Sequence, residues 1–446
     1  MNETQEALQF LDSLIDYEKI TTYSYDAMKL ERMRRLLAAL GNPQDTFRSI
    51  HIAGSRGKGS ICAMIYSILR EAGFSVGLYT SPHLISRNER IRVAGNQEDR
   101  MIRDEELASF IEKIEPMVTD LSLQGAERFT FFEVFTALSF LFFKEKGVEL
   151  AVLEVGMGGR LDATNVVQPL IAAIAPISYD HMDKLGKTLT EIAREKAEIL
   201  KEGALAIVSH QDPEPLSEIR RVTKAKGISL LEVPSVYAVR ISEKSQEGTR
   251  FHVTGPRGEM TDLFLPLLGE HQVRNALVAV AVCEQLSEKG IETTLEEIRK
   301  GLSNVDWPGR FQIVGRDPAV ILDGAQNGAS AFVLKEAFLD FFKNRPLSLI
   351  LGISADKEVE AVCRILCPLA ENVVVTRAET VRAMPVGELK RCALPYSKHL
   401  ETASSCREAL SWARRQTPAE GVILVAGSLY LVGEALELLQ HEKNTG

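Results

Sequence analysis

A chain of 446 residues is long for one hydrophobic core, so two domains are the expected organisation. A net charge of −9 and a pI near 5.6 leave no basic footprint, which argues against nucleic acid as the main partner, and no apolar run approaches membrane-spanning length. Six cysteines without paired metal-type spacing, and an acidic, polar Met1–Asp12 stretch without an apolar signal-like core, point to a cytoplasmic protein in a reducing compartment.

The first informative segment is the β-like run 47–52, which leads into Gly54-Ser55-Arg56-Gly57-Lys58-Gly59-Ser60 and a helix from Ile61. Backbone N–H groups of a glycine turn at a helix N-terminus can converge on phosphate oxygens, with Lys58 as a point charge and Ser60 as a magnesium-facing hydroxyl. The spacing is shorter than the usual phosphate-loop pattern, with two residues rather than four between Gly54 and the Gly57-Lys58 pair. Ile61, Met64, Ile65, Ile68, Leu69 and Ala72 share one helical face, and Gly73 ends the helix.

Apolar β-like runs then alternate with helical ones. Strands are expected at 75–79, 150–155, 170–175 and 204–208, and helices at 132–146 and 189–201, which predicts a mainly parallel α/β sheet. Glu154 ends one such strand just before the glycine turn 156–159, and a carboxylate there suits Mg²⁺, which prefers hard oxygen ligands. Asp180-His181 follows another strand, and the next helix opens on a capping box, Thr188–Glu191. Within that helix Lys196 falls on the apolar face, so it is either neutralised, paired or modified, or else it snorkels out.

From 229 to 268 the texture changes to short alternating strands with turn residues, a small antiparallel edge or subsheet. A helix at about 271–286 follows, and Trp307-Pro308-Gly309 marks the domain boundary. Beyond it, strands at 311–314, 319–322, 347–351, 372–375 and 422–426 alternate with helical stretches. Among the latter, the apolar run 361–369 makes Cys363 and Cys367 buried thiols rather than a zinc or redox pair. The expected fold is α/β, with an N-terminal P-loop-type ATPase domain (1–305) on a mainly parallel sheet with the antiparallel subsheet, and a smaller Rossmann-like domain (306–446).

Gly-x-x-Gly-Lys-Gly-Ser at 54–60, Ser81-Pro82-His83-Leu84, Asn88-Glu89-Arg90-Ile91, Thr130-Phe131-Phe132-Glu133 and 154–165 resemble the folylpolyglutamate synthase/dihydrofolate synthase family of the Mur ligase superfamily. The resemblance continues in order through Asp180-His181, Glu195-Lys196-Ala197, Asn275, Pro308–Phe311, Leu322–Ala325, Asp356-Lys357 and 427–433. It implies an ATP-dependent ligase of folate biosynthesis that joins L-glutamate to dihydropteroate, to reduced folates or to both, through an acyl phosphate. Gly54, Gly57, Lys58, Gly59 and Ser60 would hold ATP phosphates, and Asn275, Arg310 and Asp323 would complete the nucleotide site. Ser60, Ser81, Glu154 and His181 would bind Mg²⁺, and Lys196 matches a carbamylated lysine. Leu30-Glu31-Arg32, Thr130 and Leu161-Asp162-Ala163 match segments of members that use dihydropteroate. A monomer is expected, with no nucleic-acid or membrane partner.

Two places depart from the family pattern. Ser55-Arg56 stands where Thr-Asn is usual, and Ala325-Gln326-Asn327-Gly328 where Ala-His-Asn-Pro is common. Gln326 can orient a group but cannot titrate near neutrality. The rival readings are a UDP-muramyl-peptide-type amino acid ligase and a non-catalytic nucleotide-binding paralogue.

Overall fold

The alternation of apolar runs and amphipathic stretches becomes an eight-stranded sheet in the computed structural model, which describes residues 3–19, 25–95, 98–125 and 128–445. In chain order its strands are β1 (Arg48–Ala53), β2 (Val76–Tyr79), β3 (Ile91–Gly95), β4 (Glu98–Met101), β5 (Leu150–Glu154), β6 (Ile171–Ile174), β7 (Leu205–Val208) and β8 (Leu230–Glu232). The spatial order is β4-β3-β2-β5-β1-β6-β7-β8. Pairing is parallel from β2 to β8, and β3 and β4 form an antiparallel edge.

The helices before and among these strands are α1 (Glu3–Ser13), α2 (Leu30–Ala39), α3 (Lys58–Glu71), α4 (Asp104–Gly125), α5 (Phe131–Glu145), α6 (Met182–Leu185), α7 (Leu189–Ala197) and α8 (Pro213–Lys226). Register pairs Ile52 with Glu154, and His51 with Leu153 and Ala172. Because side chains alternate along a strand, His51 and Glu154 therefore leave opposite faces of the sheet. The His51 face carries two hydrophobic cores, one built with α1, α2, α4 and α5, the other with α7 and α8.

Chain continues through α9 (Val233–Val236) into three strands, β9 (Ala238–Ser245), β10 (Gly248–Gly255) and β11 (Gly258–Leu265), whose two-residue connections fix antiparallel pairing in the expected subsheet. Next come α10 (Glu270–Gln285) and α11 (Leu295–Ser303). Gly301 of α11 lies against the Ile68 backbone, where a Cβ would come within 2.4 Å of its Cα, so the helix pair can approach this closely only with glycine.

The chain divides into two compact units: Met1–Arg240 with Phe251–Phe264 and Arg274–Val305, and Ile241–Arg250 with Leu265–Val273 and Asp306–Gly446. The second unit holds a six-stranded sheet of β12 (Gln312–Gly315), β13 (Ala319–Asp323), β14 (Leu347–Leu351), β15 (Asn372–Val375), β16 (His399–Thr402) and β17 (Val422–Ala426). Its order is β12-β13-β17-β14-β15-β16, parallel except for β12. Its helices are α12 (Gly328–Phe342), α13 (Val359–Leu366), α14 (Val386–Ala393), α15 (Cys406–Gln416) and α16 (Leu429–Thr445).

Two sequence expectations need correction. The helix from Leu189 ends at Ala197 rather than Lys201, since Ile199 and Leu200 close turns onto Lys196 and Ala197 while keeping their side chains in the core. The first strand of the 229–268 region, β8, joins the large parallel sheet instead of the subsheet. All six cysteines are free, with Cys363 and Cys367 buried as expected, and among the described residues no helix is long and apolar enough to cross a membrane.

Candidate active site

The carboxyl ends of β2, β5, β1 and β6, four neighbours in the sheet, carry Ser81, Glu154, the glycine loop and Asp180-His181. Such a crevice, where connections leave a parallel sheet in opposite directions, is where open α/β folds bind ligands. The loop 54–57 is anchored from below. Ser55 and Arg56 N–H donate to the Pro176 carbonyl at 3.0 and 3.3 Å, and the Ser55 hydroxyl donates to Ser178 O. Gly57 sits at φ 80°, and a Cβ there would lie 2.6 Å from Asn275 Oδ1, so Asn275 packs directly against the loop. Gly57 caps α3, and the amides of Lys58, Gly59 and Ser60 in its first turn have no carbonyl partner within the helix.

Lys58 Nζ stands 3.8 Å from Glu154 Oε1, both side chains largely buried, and Glu154 Oε2 accepts the Ser81 N–H at 3.2 Å. Lys196, 3% exposed, donates from Nζ to the Gly54 carbonyl at 2.9 Å. Burial first, and then the Lys58 charge, lower its pKa from 10.5 to about 7 against the opposing pull of Asp180 and Asp162. His181 adopts φ 48° at the start of α6, with Nε2 3.7 Å from Asp180 Oδ1. Arg56 is half-buried; desolvation lowers its pKa while Asp212 and Asp180 oppose the shift.

Among the described residues no three His, Cys, Asp or Glu side chains converge as a metal cage. Glu154 with the serine hydroxyls nonetheless suits Mg²⁺, which keeps several waters and needs only one or two carboxylates plus phosphate oxygens.

The loop bearing Ser81 is held by a motif whose role the sequence did not disclose. Glu89 accepts the N–H groups of Leu84, Ile85 and Ser86, and Asn88 donates to Ile102 O and Asp104. Arg90, fully buried, donates from Nη1 to Glu18 at 2.9 Å and from Nε to His83 Nδ1 at 2.9 Å, stacked over Phe131 and Phe135. Burial and the Arg90 charge lower the His83 pKa to about 4, so its Nδ1 stays an acceptor.

Several expected substrate residues are engaged internally. Arg32 is buried and grips Glu133, with Nε 2.9 Å from Oε1 and Nη2 2.7 Å from Oε1. Thr130 caps α5 in a reciprocal box with Glu133. Asp162 is fully buried; its carboxylate accepts the N–H groups of Met157 and Thr164 and the Thr164 hydroxyl, which braces the glycine turn from within. Ala163 is buried, Leu161 and Leu30 are half-buried, and Glu31 is exposed beside Arg34.

In the second unit, Asp323 ends β13 and accepts the N–H groups of Phe311 and Ala325, each at 2.9 Å. Burial raises its pKa and the neighbouring Arg310 opposes the rise. Gln326 N–H donates to Ser330 Oγ, and Gly328 N–H donates to Glu358 at 2.7 Å, a bond a proline could not make.

Residues 52–283 match the Mur ligase middle domain, and residues 310–438 match the dihydrofolate synthetase C-terminal domain. The chain is 33% identical to the dihydrofolate synthase/folylpolyglutamate synthase of Bacillus subtilis, over 92% of this chain and 95% of that one. It is 36% identical to a probable bifunctional folylpolyglutamate synthase/dihydropteroate synthase of Haloferax volcanii, over 94% of this chain but only about half of that relative's length (50%). Among solved structures, Mycobacterium tuberculosis folylpolyglutamate synthase complexed with ADP and AMPPCP superposes with a TM-score of 0.90 at 31% identity, covering 98% of this chain and 99% of that one. Escherichia coli FolC in complex with DHPP and ADP gives 0.84 at 30% identity, covering 99% and 98%.

Proposed function

The chain belongs to the folylpolyglutamate synthase/dihydrofolate synthase family of Mur-type ligases, and from that membership we propose that it joins L-glutamate to dihydropteroate, to reduced folates or to both, using ATP. The observation that carries the reading is the pairing of Lys58 with Glu154 at the carboxyl ends of adjacent strands, beside a glycine loop that opens α3. The acceptor carboxylate attacks the γ-phosphorus, the bond to the β–γ bridging oxygen breaks, and ADP leaves. The glutamate nitrogen then attacks the acyl carbon, phosphate departs with the electron pair of the C–O bond, and one proton is released. Little covalent work falls to the protein, which positions the reactants and neutralises charge.

In this reading Lys58 and the first-turn amides of α3 hold the β- and γ-phosphates, and Asn275 fixes the loop. Ser60, Ser81, Glu154 and His181 are the residues that would hold Mg²⁺, which when bound neutralises phosphate charge. Arg310 and Asp323 serve the nucleotide, and Gln326 orients without titrating. Lys196 carries a carbamate: its pKa near 7 leaves much of the amine neutral at physiological pH, so nitrogen can bond to the carbon of CO₂ with loss of one proton. The carbamate keeps one N–H for the Gly54 carbonyl and turns a cation beside Lys58 into an anion. Leu30, Glu31 and Leu161 line the acceptor side, while Arg32, Thr130, Asp162 and Ala163 act behind them. The proposed enzyme is a cytoplasmic monomer, and the six free cysteines support the reducing compartment.

The test is to incubate the protein with MgATP, labelled L-glutamate and either 7,8-dihydropteroate or a reduced folate, following product and ADP by mass spectrometry. Incorporation with both acceptors marks a bifunctional enzyme, and incorporation with one names the activity. ATP hydrolysis or binding without incorporation would refute the proposal.

A further inference from the structure

His51 is a buried titratable group that the reaction above does not use. It is 0% exposed, and burial lowers its pKa to about 3, so the ring is a neutral imidazole. Nε2 lies 2.8 Å from the Thr164 hydroxyl, whose own proton goes to the Asp162 carboxylate at 2.5 Å. A hydroxyl has one proton, and here the carboxylate takes it; Thr164 can therefore only accept from His51. This fixes the tautomer with the proton on Nε2 and leaves Nδ1 as a lone pair without a hydrogen-bond partner among the described residues. The chain of donors runs from His51 through Thr164 to Asp162, which holds the Met157 amide at 2.9 Å in the glycine turn.

Lys201 grips the same loop at its far end, donating to the Asn165 and Val167 carbonyls at 2.7 and 2.5 Å. Between these anchors, His51 is the group of the sheet that supports the Thr164–Asp162 brace of the loop 156–167 from beneath. Although His51 lies three residues before Gly54, its side chain leaves the sheet on the face opposite Glu154, whose partner is Lys58.

We infer that His51 is a positioning residue for the acceptor through the loop 156–167 and does not serve the nucleotide loop that follows it in sequence. The inference rests on the reading of Leu161–Ala163 as acceptor-side residues. Replacement chemistry separates its atoms. A glutamine amide nitrogen occupies the position of Nε2 and can donate to Thr164, whereas an asparagine nitrogen occupies that of Nδ1 and cannot.

His51→Leu and His51→Asn are expected to raise the KM for the pteroate or folate acceptor about fivefold, the worth of one neutral hydrogen bond, with the KM for ATP unchanged. His51→Gln should restore the acceptor KM, and Thr164→Val, which also removes the hydroxyl bond to Asp162, should raise it at least as far as His51→Leu, with no further loss when His51→Leu is added to it. Equal shifts for ATP and acceptor, an unchanged acceptor KM, or failure of His51→Gln where His51→Asn does as well would overturn the inference. If His51→Leu does not fold, the glutamine and asparagine variants decide. Absence of glutamate incorporation by the unaltered protein would instead defeat the functional reading. His51 would then be judged by amide exchange, which His51→Asn should accelerate at Met157 and Thr164 but not in α3, uniform protection overturning the proposal.

Discussion

Lys196 makes stability depend on pH in a direction that can be worked out. Its pKa falls from 10.5 in the unfolded chain to about 7 in the fold because burial and Lys58 disfavour the ammonium. Below pH 7 both states hold the proton and the folded state bears the whole penalty, about 5 kcal/mol at 1.36 kcal/mol per pKa unit. Between pH 7 and 10.5 the unfolded chain binds more protons than the folded one, so stability rises with pH across that window. From pH 6 to 9 the site alone should add roughly 2–3 kcal/mol. Lys196→Met removes the titration and the bond to Gly54 O but keeps the apolar stem. Urea unfolding of both proteins in CO₂-free buffer should find the variant favoured most at pH 6 and its advantage shrinking by that amount at pH 9. Lys201, whose pKa burial lowers to about 8, titrates in the same range but cancels in the difference. A difference that stays flat with pH would refute the argument. Bicarbonate should add the mass of one carbamate to the unaltered protein and none to the variant.

Glu154→Gln keeps an acceptor for the Ser81 N–H but removes the charge facing Lys58, so ligation should be abolished while the protein still unfolds cooperatively in urea at a lower midpoint; normal turnover would sink the assignment. Arg32→Met strands the buried Glu133 carboxylate and should cost about 3–5 kcal/mol in urea unfolding. On the folded protein its acceptor KM should change little, and a rise above about tenfold would make Arg32 a direct substrate contact rather than a brace. Gly57→Ala places a Cβ 2.6 Å from Asn275 Oδ1 at φ 80°, so calorimetry should find nucleotide affinity at least about tenfold weaker. Gly328→Pro loses the N–H bond to Glu358, partly offset by a stiffer unfolded chain, and should lower stability by about 1 kcal/mol without altering the fold.

How much of this was legible in the sequence depended on whether a residue's partner was local. The glycine loop and the strand-terminal Glu154 are read from neighbours, and helical periodicity alone put Lys196 on the buried face where the structure has it. The end of its helix was misread because Ile199 and Leu200 continue the apolar period while the backbone turns, and periodicity reports burial rather than hydrogen bonding. Arg32 and Glu133 are 101 residues apart, and nothing in either segment announces an ion pair.

That distance explains the shift in roles. A motif that recurs with a substrate contains both the groups that touch it and those that hold them, and sequence does not separate the two. Burial and partner counting do. Asp162 is fully buried and its donors, the Met157 and Thr164 amides and the Thr164 hydroxyl, all belong to the loop itself, so its chemistry acts on the loop, whereas Leu161 beside it is only half-buried. The same reasoning makes Arg56 a half-buried cation that feels the charges of Asp212 and Asp180, at the strand end that carries His181. Its charge, where the family usually has asparagine, therefore changes the field at Asp180, and the carboxylate next to His181 is where that departure should be felt.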